Sequence, residues 1–352
     1  MLFEYLIEEN KPLAPLTTLG VGGAARWFAQ ADTEEHIAEA ASWARQNGVR
    51  LFILGGGSNL VVADEGFDGL VLHVALLGVE QDDTGPGQRI YRVAAGQDWD
   101  TFVQRTIDEN CAGLECLAGI PGTVGGTPVQ NVGAYGQEVS STIERVRAFD
   151  LATHEWVELP AWECRFSYRR SRFNTAHRDR FVVTRVDYRL TPGGAPTLTY
   201  ADLQRAFAPG SQPALAEVAD TVRLIRRAKG MLLIDGDPDS RSAGSFFKNP
   251  VISEEHLAHI AASAGKAPPR FPVPEKGKVK IPAAWLIEHA GFAKGFSLGN
   301  AGISSKHTLA LINAGGATTA DVLALAREIR DGVRAAFGVR LDPEPTLVGV
   351  TL

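Results

Sequence analysis

Four glycines within eight residues, Gly119-Ile120-Pro121-Gly122-Thr123-Val124-Gly125-Gly126, restrict what this chain can become more than any other stretch. Glycine has no Cβ, so its backbone can approach another backbone, or a phosphate oxygen, closely. Two more clusters share this texture: Thr17-Thr18-Leu19-Gly20-Val21-Gly22-Gly23, and Leu54-Gly55-Gly56-Gly57-Ser58-Asn59-Leu60. A further run, Asn131-Val132-Gly133-Ala134-Tyr135-Gly136, follows soon after Gly126. One such loop reads as a turn; several, with Ser, Thr and Asn attached, point to a long ligand carrying a diphosphate. The Gly55 loop follows an apolar run, which invites the dinucleotide fingerprint G-x-G-x-x-G. That fingerprint fails, because Leu60 stands at its third glycine and Val61-Val62 continue as strand where a helix should open. A tight strand-to-strand turn is the alternative for that loop.

The rest of the pattern mixes helix and strand. Asp32 and Glu35 stand at capping-box spacing, Ile37, Ala40, Ala41 and Ala44 make one apolar helical face, and Asn47-Gly48 ends it. Strands are expected over 49–54, 61–62 and 70–74. Residues 91–190 read as β-rich segments around the long glycine loop, closed by the break Thr191-Pro192-Gly193-Gly194. Helices are expected over 216–228 and 283–289, with a Pro- and Lys-rich loop through the 270s. Thr318 and Asp321 cap a last helix whose face is Val322, Leu325, Ile329, Val333 and Phe337, with Gly338 as its stop. Residues 339–352 read as extended chain.

A chain of 352 residues exceeds one compact core and suits about two or three domains. Its net charge of −6 disfavours non-specific nucleic-acid binding, which needs a strong basic field. Cys111, Cys116 and Cys164 are an odd, sparse set without zinc spacing or a disulfide framework, which suits a reducing cytosol. Met1-Leu2-Phe3-Glu4-Tyr5 starts no apolar run of signal length, and no stretch approaches the roughly 20 apolar residues of a membrane span. A soluble cytoplasmic protein, a monomer or weak oligomer without nucleic-acid partners, is the expectation.

Two runs add chemistry to the loops: Tyr168-Arg169-x-Ser171-x-Phe173, and Gly244-Ser245-Phe246-Phe247-Lys248-Asn249-Pro250. With Glu344 in Asp342-Pro343-Glu344-Pro345, they resemble the active site of the UDP-N-acetylenolpyruvoylglucosamine reductases, the MurB family. The glycine loops are similar to that family's flavin-binding loops, and the resemblance runs from about residue 10 to about residue 350. The two runs are much more specific to the reductases than the loops are. The resemblance implies an α+β protein: two αβ subdomains, 1–75 and 76–211, forming a vanillyl-alcohol-oxidase-type FAD-binding domain. A UDP-sugar domain over 212–338 would follow, and a C-terminal strand, 339–352, would return to the FAD region.

It further implies non-covalent FAD, NADPH as co-substrate, and UDP-N-acetylglucosamine enolpyruvate as the substrate. Hydride would pass from NADPH to N5 of FAD and on to the β carbon of the enol ether. Charge then builds on the carboxylate as an enolate, so the site needs cationic and hydrogen-bonding groups there and a proton donor for the α carbon. By resemblance the donor is Ser245, with Arg169 and Glu344 beside the enolate. Proline after the acid, Pro345, departs from the family pattern. FAD would lie on Thr18, Gly20, Gly55, Gly56, Gly57, Ser58, Asn59, Leu60, Gly119, Ile120, Pro121, Gly122, Thr123, Gly125, Gly126, Asn131, Gly133, Ala134 and Tyr135. Substrate would meet Tyr168, Tyr200, Lys229, Lys248, Asn249 and His289, the last at a position where some relatives carry glutamine. The rival readings are a flavin-dependent alcohol oxidase and a flavin or UDP-sugar binding protein without turnover. The first often tethers its flavin to a histidine, and none lies in the three glycine loops; the second would lack the set of Ser245, Arg169 and Glu344.

Overall fold

The capping box at Thr318 forms as its spacing predicts: the Thr318 hydroxyl accepts from Asp321 N–H, and the Asp321 carboxylate accepts from Thr318 N–H. Thr319–Phe337 follows as helix and Gly338, at φ +67°, ends it in the left-handed conformation. The expected stripe of Val322, Leu325, Ile329, Val333 and Phe337 is buried. Glu34–Gln46 is likewise helical with Ile37, Ala40, Ala41 and Ala44 buried. Its cap differs from the expected one. Thr33, not Asp32, is the N-cap, and its hydroxyl accepts from His36 N–H. Thr33 lies next to the first helical residue, where a side-chain oxygen reaches the orphan amides.

This computed structural model describes residues 6–85 and 87–352. The reading of Met1 to Tyr5 falls outside those residues. Two units are separable: 1–11, 25–57 and 68–227 make the first, and 12–24, 58–67 and 228–352 the second. The chain passes between them several times, so residues 12–24 and 58–67 group with the C-terminal part although they stand early in the sequence.

In the first unit, Leu51–Leu54 pairs in parallel with Phe67–Val74, in the register Leu51 to Leu70. The strand therefore starts two residues later than its apolar run does. A larger antiparallel sheet has the order Glu155–Pro160, Ile143–Asp150, Phe181–Pro192, Gln88–Ala94, Val79–Gly85. The stretch read as β-rich also contains a helix, Trp99–Asp108, capped by Asp98. Its buried Trp99, Phe102, Val103, Thr106 and Ile107 have helical spacing. Phe102 and Tyr188 meet with ring centroids 5.4 Å apart in the core. Leu215–Ala228 is the last helix of this unit, one residue longer than expected at its start.

In the second unit, Ser242–Ser245, Ala310–Asn313, Ala301–Ile303 and Ser297–Leu298 form a sheet in that order. Helix Thr319–Phe337 belongs to the same hydrophobic cluster as Ala243, Ala301, Ile303 and Leu311 of these strands. The Asp64 carboxylate accepts from Thr319 N–H and Ala320 N–H at the helix start, at 2.7 and 2.9 Å. Thr346–Val348 pairs in parallel with Leu60–Val62. Ala283–His289 is helical, as expected. Cys111, Cys116 and Cys164 are buried free thiols. Among the described residues no helix is long and apolar enough to cross a membrane.

Candidate active site

A bulge aims Ser245. Ser242 pairs with Ile312 and Ser245 with Ala310, so the Ser242–Ser245 strand carries one residue more than its partner. Gly244 absorbs it at φ +75°, a conformation other L residues avoid. Its N–H donates to Ser242 Oγ at 3.3 Å. The chain then runs between two neighbours. Phe246 N–H donates to Leu309 O at 2.7 Å, and Phe246 O accepts from Glu344 N–H at 2.8 Å. Phe247 bridges Pro343, and Lys248 N–H donates to Asp342 O at 3.0 Å. Both phenylalanines are buried and meet edge to face at 5.1 Å, which locks the run from beneath. Ser245 and Glu344, nearly a hundred residues apart in sequence, are thereby held on adjacent chain segments of one unit.

Pro345 fits this arrangement. The ladder hydrogen bond next along the chain comes from Thr346 N–H to Asn59 O, at 2.9 Å. Asn59 Nδ2 reaches back to Glu344 O at 3.5 Å, so Asn59 holds the backbone on both sides of the proline. Leu60 then begins the short strand that pairs with Thr346–Val348. Thr18 Oγ1 donates to Ser242 O at 2.6 Å and lies 3.4 Å from Ser58 O, fastening the first glycine cluster to the serine-bearing strand. Thr18 thus has a structural bond of its own, and Gly20 N–H donates to Thr17 Oγ1.

In the first unit, Tyr168 and Arg169 are the two central residues of a tight turn, closed by mutual backbone hydrogen bonds between Ser167 and Arg170 at 2.9 and 3.0 Å. Arg169 sits at φ +55°, a strained value for a side chain of its size. The turn is held in place: Asn174 Nδ2 donates to Arg169 O, Asn131 Nδ2 donates to Ser167 O, and Ser171 Oγ donates to Val129 O. The Arg169 guanidinium lies over the Tyr168 ring at 5.6 Å. A Cβ on Gly133 would come within 3.5 Å of Arg169 Nη1. The arginine is therefore set against the run of residues 131–135, not on an open face.

The glycine runs 55–57 and 119–126, both in this unit, touch backbone to backbone. A Cβ on Gly56 would stand 2.6 Å from Gly122 Cα, and one on Gly55 would stand 3.0 Å from Thr123 Oγ1. Several amides of the second loop are already engaged. Gly119 N–H donates to Asp100, Gly125 N–H to Ala95 O and Gly126 N–H to Thr123 O. These three amides are thus already engaged within the protein, and at Gly125 the missing side chain also allows close approach, since a Cβ there would stand 2.7 Å from Ala95 Cβ. A Cβ on Gly126 would meet no protein atom within 4 Å, which leaves a backbone surface open beside it. Ile120 and Pro121 stand between Gly119 and Gly122, and Ala134 pairs with Gln137 across the small hairpin that carries Tyr135. A surface of stacked, side-chain-free backbone beside hydroxyl and amide groups suits a flat, diphosphate-bearing cofactor.

Tyr200 is 43% exposed, precedes the short helix Ala201–Ala206, and packs edge to face on Tyr135 at 5.5 Å. In the second unit, Lys229 lies close enough to His307 to act on its charge. Burial first, then Lys229 and Lys294, push that imidazole down to about 4. Asn249 Oδ1 accepts from Ala283 N–H at 2.9 Å and caps helix Ala283–His289, so a contact to a phosphate would come from its Nδ2 donors. His289 stacks on Trp285 with centroids 3.7 Å apart, and its Nδ1 is 2.8 Å from Trp285 O. That is the structural duty common for a histidine on an apolar helix.

Among the charged side chains buried in the first unit, Glu115 and Arg226 stand beside the glycine loops or their neighbours, and sequence reasoning passed over both. Glu115, 1% exposed, accepts three hydrogen bonds. Arg226, 6% exposed, donates from Nε to Gly119 O at 3.0 Å. Each carried a legible signal. Glu115 is the lone charge in Leu114-Glu115-Cys116-Leu117, and Arg226 extends the apolar stripe Leu215, Val218, Ala219, Val222 by one turn.

Comparison with known proteins agrees with this layout. Residues 25–159 match an FAD-binding domain family and residues 237–348 match the C-terminal domain of UDP-N-acetylenolpyruvoylglucosamine reductase. The reductase of that name from Thermobifida fusca is 51% identical over 97% of this chain and 98% of its own length. That of Streptomyces coelicolor is 49% identical over 97% of this chain and 90% of its own. The crystal structure of the Thermus caldophilus reductase (MurB) superposes with a TM-score of 0.66 at 26% identity, covering 97% of this chain and 98% of that one.

Proposed function

Because the chain belongs to the UDP-N-acetylenolpyruvoylglucosamine reductase family, we propose how its own residues carry the family's reaction. It is an FAD-containing, NADPH-dependent oxidoreductase, a UDP-N-acetylmuramate dehydrogenase, which reduces UDP-N-acetylglucosamine enolpyruvate in peptidoglycan precursor synthesis. Bound FAD supplies the hydride, which NADPH provides. The residues of the chain bind, orient and protonate.

Arg169 grips the substrate carboxylate. Its planar fork matches two oxygens, and the strained turn beneath it spares it a search among conformers as the charge grows. Glu344 stands beside the same charge and, being acidic, can hydrogen-bond a carboxylate oxygen when it carries a proton. Ser245 gives its hydroxyl proton to the α carbon. A serine is a weak acid, so its position carries the effect, and the bulge at Gly244 supplies that position. Tyr168, Tyr200, Lys229, Lys248, Asn249 and His289 hold the UDP-sugar, with Lys229 and Asn249 meeting the diphosphate. The cofactor lies along residues 55–60, 119–126 and 131–135, with Thr18 and Gly20 bracing. Residues 1–75 and 76–211 act as FAD-binding subdomains and 212–338 as the UDP-sugar domain, although 12–24 and 58–67 group with the second unit and 212–227 with the first. The 339–352 segment, paired with Leu60–Val62, brings Glu344 back toward the second glycine cluster. The enzyme works in the cytosol as a monomer or weak oligomer, and its product bears on cell shape and division.

The observation that carries this reading is that Ser245, turned by the glycine bulge, sits on a segment joined to that of Glu344 by the hydrogen bond from Glu344 N–H to Phe246 O. Ser245→Ala tests it by separating the half-reactions. Bleaching of the flavin by NADPH should keep its rate, since it takes no proton from serine. Recovery of the yellow colour on adding the enolpyruvyl substrate should slow by about 10²–10⁴-fold. Equal slowing of both steps would make Ser245 a structural residue.

A further inference from the structure

We propose that Glu115 is a positioning residue for substrate binding, clamping the stem of the Tyr200 loop to the hairpin that carries Tyr135. Tyr200 follows the stretch Thr197-Leu198-Thr199, which has no regular secondary structure. Such a stretch needs fastening if its tyrosine is to meet a ligand in one place. Thr197 supplies the fastening. Its N–H donates to Glu115 Oε1 at 2.8 Å, and its carbonyl lies 3.3 Å from Cys116 Sγ. Its hydroxyl accepts from Gln137 Nε2 at 3.1 Å. The same Gln137 amide donates to Glu115 Oε1 at 2.7 Å, and Gln137 Oε1 accepts from Cys116 N–H at 2.8 Å. Glu115 Oε2 accepts from Gly113 N–H at 2.8 Å.

One buried carboxylate therefore joins the loop stem, through Thr197, to the 133–138 hairpin, through Gln137. The hairpin end meets the loop again farther along. Gly136 stands at φ +89°, and a Cβ there would fall 2.2 Å from Thr199 Oγ1. Tyr135 then meets Tyr200 edge to face at 5.5 Å. Tyr135 also hydrogen-bonds the buried Arg226, which holds Gly119 O. The glycine loop, the hairpin and the tyrosine loop thus form one connected series, and Glu115 is the link to which Gln137 of the hairpin and Thr197 of the loop stem both donate. A carboxylate is suited to this place because it only accepts, and all three partners are N–H donors. Glutamine would turn a donor toward at least one of them.

The inference rests on the proposed role of Tyr200 in holding the UDP-sugar, and a double-mutant cycle keeps the two apart. Substrate dissociation constants are measured by titrating the flavin spectrum of the holoenzyme, for the parent, Tyr200→Phe, Glu115→Gln and the double variant. Tyr200→Phe alone should weaken binding; if it does not, the role of Tyr200 falls. If Glu115 acts through Tyr200, Glu115→Gln should weaken binding by about tenfold, the equivalent of about 1.4 kcal/mol. It should leave the rate at saturating substrate within about threefold, and the double variant should be little worse than the worse single one. Thr197→Val, which removes only the hydroxyl that Gln137 reaches, should move the same constants in the same direction by less, and it serves in the cycle if Glu115→Gln does not retain FAD. A Tyr200→Phe effect of undiminished size in the Glu115→Gln or Thr197→Val background would overturn the proposal. So would a fall in rate at saturating substrate with affinity unchanged.

Discussion

Alanine at Gly56 and at Gly126 should separate the two uses of glycine in the flavin loops. At Gly56 the new methyl would lie 2.6 Å from Gly122 Cα, 2.8 Å from its carbonyl carbon and 3.0 Å from Thr123 N. Ordinary carbon contacts are about 3.5–4.0 Å, so the two loops must part by about 1 Å. All three neighbours are backbone, so no rotamer change relieves the clash. Overpacking of this kind costs about 1–3 kcal/mol, and Gly56→Ala should lower the thermal midpoint of the FAD-free protein as well as its FAD affinity. Gly126→Ala differs, because its methyl meets no protein atom within 4 Å and Gly126 is helical in φ. The FAD-free protein should keep its midpoint, while FAD affinity falls because the methyl occupies the approach the cofactor would use. Thermal unfolding of apoprotein and quenching of FAD fluorescence on titration measure the two quantities. If Gly126→Ala bound FAD like the parent, the open backbone there would not face the cofactor. If Gly56→Ala left the apoprotein midpoint unchanged, the loop contact would not be tight.

Arg169→Lys keeps the charge and meets the same left-handed backbone, so it isolates the loss of the planar fork. Single-turnover reoxidation by saturating substrate should slow well beyond the roughly 1 kcal/mol that a surface ion pair could explain, and parity with the parent would remove Arg169 from the chemistry. Gly244→Ala should cost about 1–2 kcal/mol of stability through its φ of +75° alone, since its methyl has no neighbour within 4 Å, and should slow reoxidation as Ser245 turns. A variant with unchanged melting and unchanged reoxidation would argue against the bulge. His307 gives a pH test. Burial lowers its value from 6.5 to about 4 in the folded protein, so the unfolded chain binds the extra proton between those values. Stability should therefore fall as pH drops from about 6.5 to about 4, and His307→Gln should flatten that slope in denaturant titrations. An unaltered slope would mean that His307 titrates normally.

Local interactions were open to reading because their partners lie within a turn or two. The capping box at Thr318, the stripe of Ile37, Ala40, Ala41 and Ala44, and the failure of the dinucleotide fingerprint at Leu60 all follow from spacing along the chain. The shift of one cap from Asp32 to Thr33 is the scale of error such reasoning makes. Helix Trp99–Asp108 carried its own cap and stripe, and was hidden only by the strand-rich sequence around it. The residue types of the site were likewise legible as a resemblance, because glycine, serine, arginine and glutamate recur there in recognisable runs.

What tertiary structure decided is everything set by chain segments far apart. No local rule pairs Thr346–Val348 with Leu60–Val62, and that pairing is what returns Glu344 to the neighbourhood of Asn59. The bulge at Gly244 exists only relative to Ala310–Asn313, since a strand has an extra residue only by comparison with its partner. Glu115 shows the same limit most plainly. A carboxylate among apolar neighbours looks like a local fault until Thr197 and Gln137 bring it their N–H groups. Burying that charge is tolerable only once the fold has assembled its donors, and a linear sequence does not show where they come from.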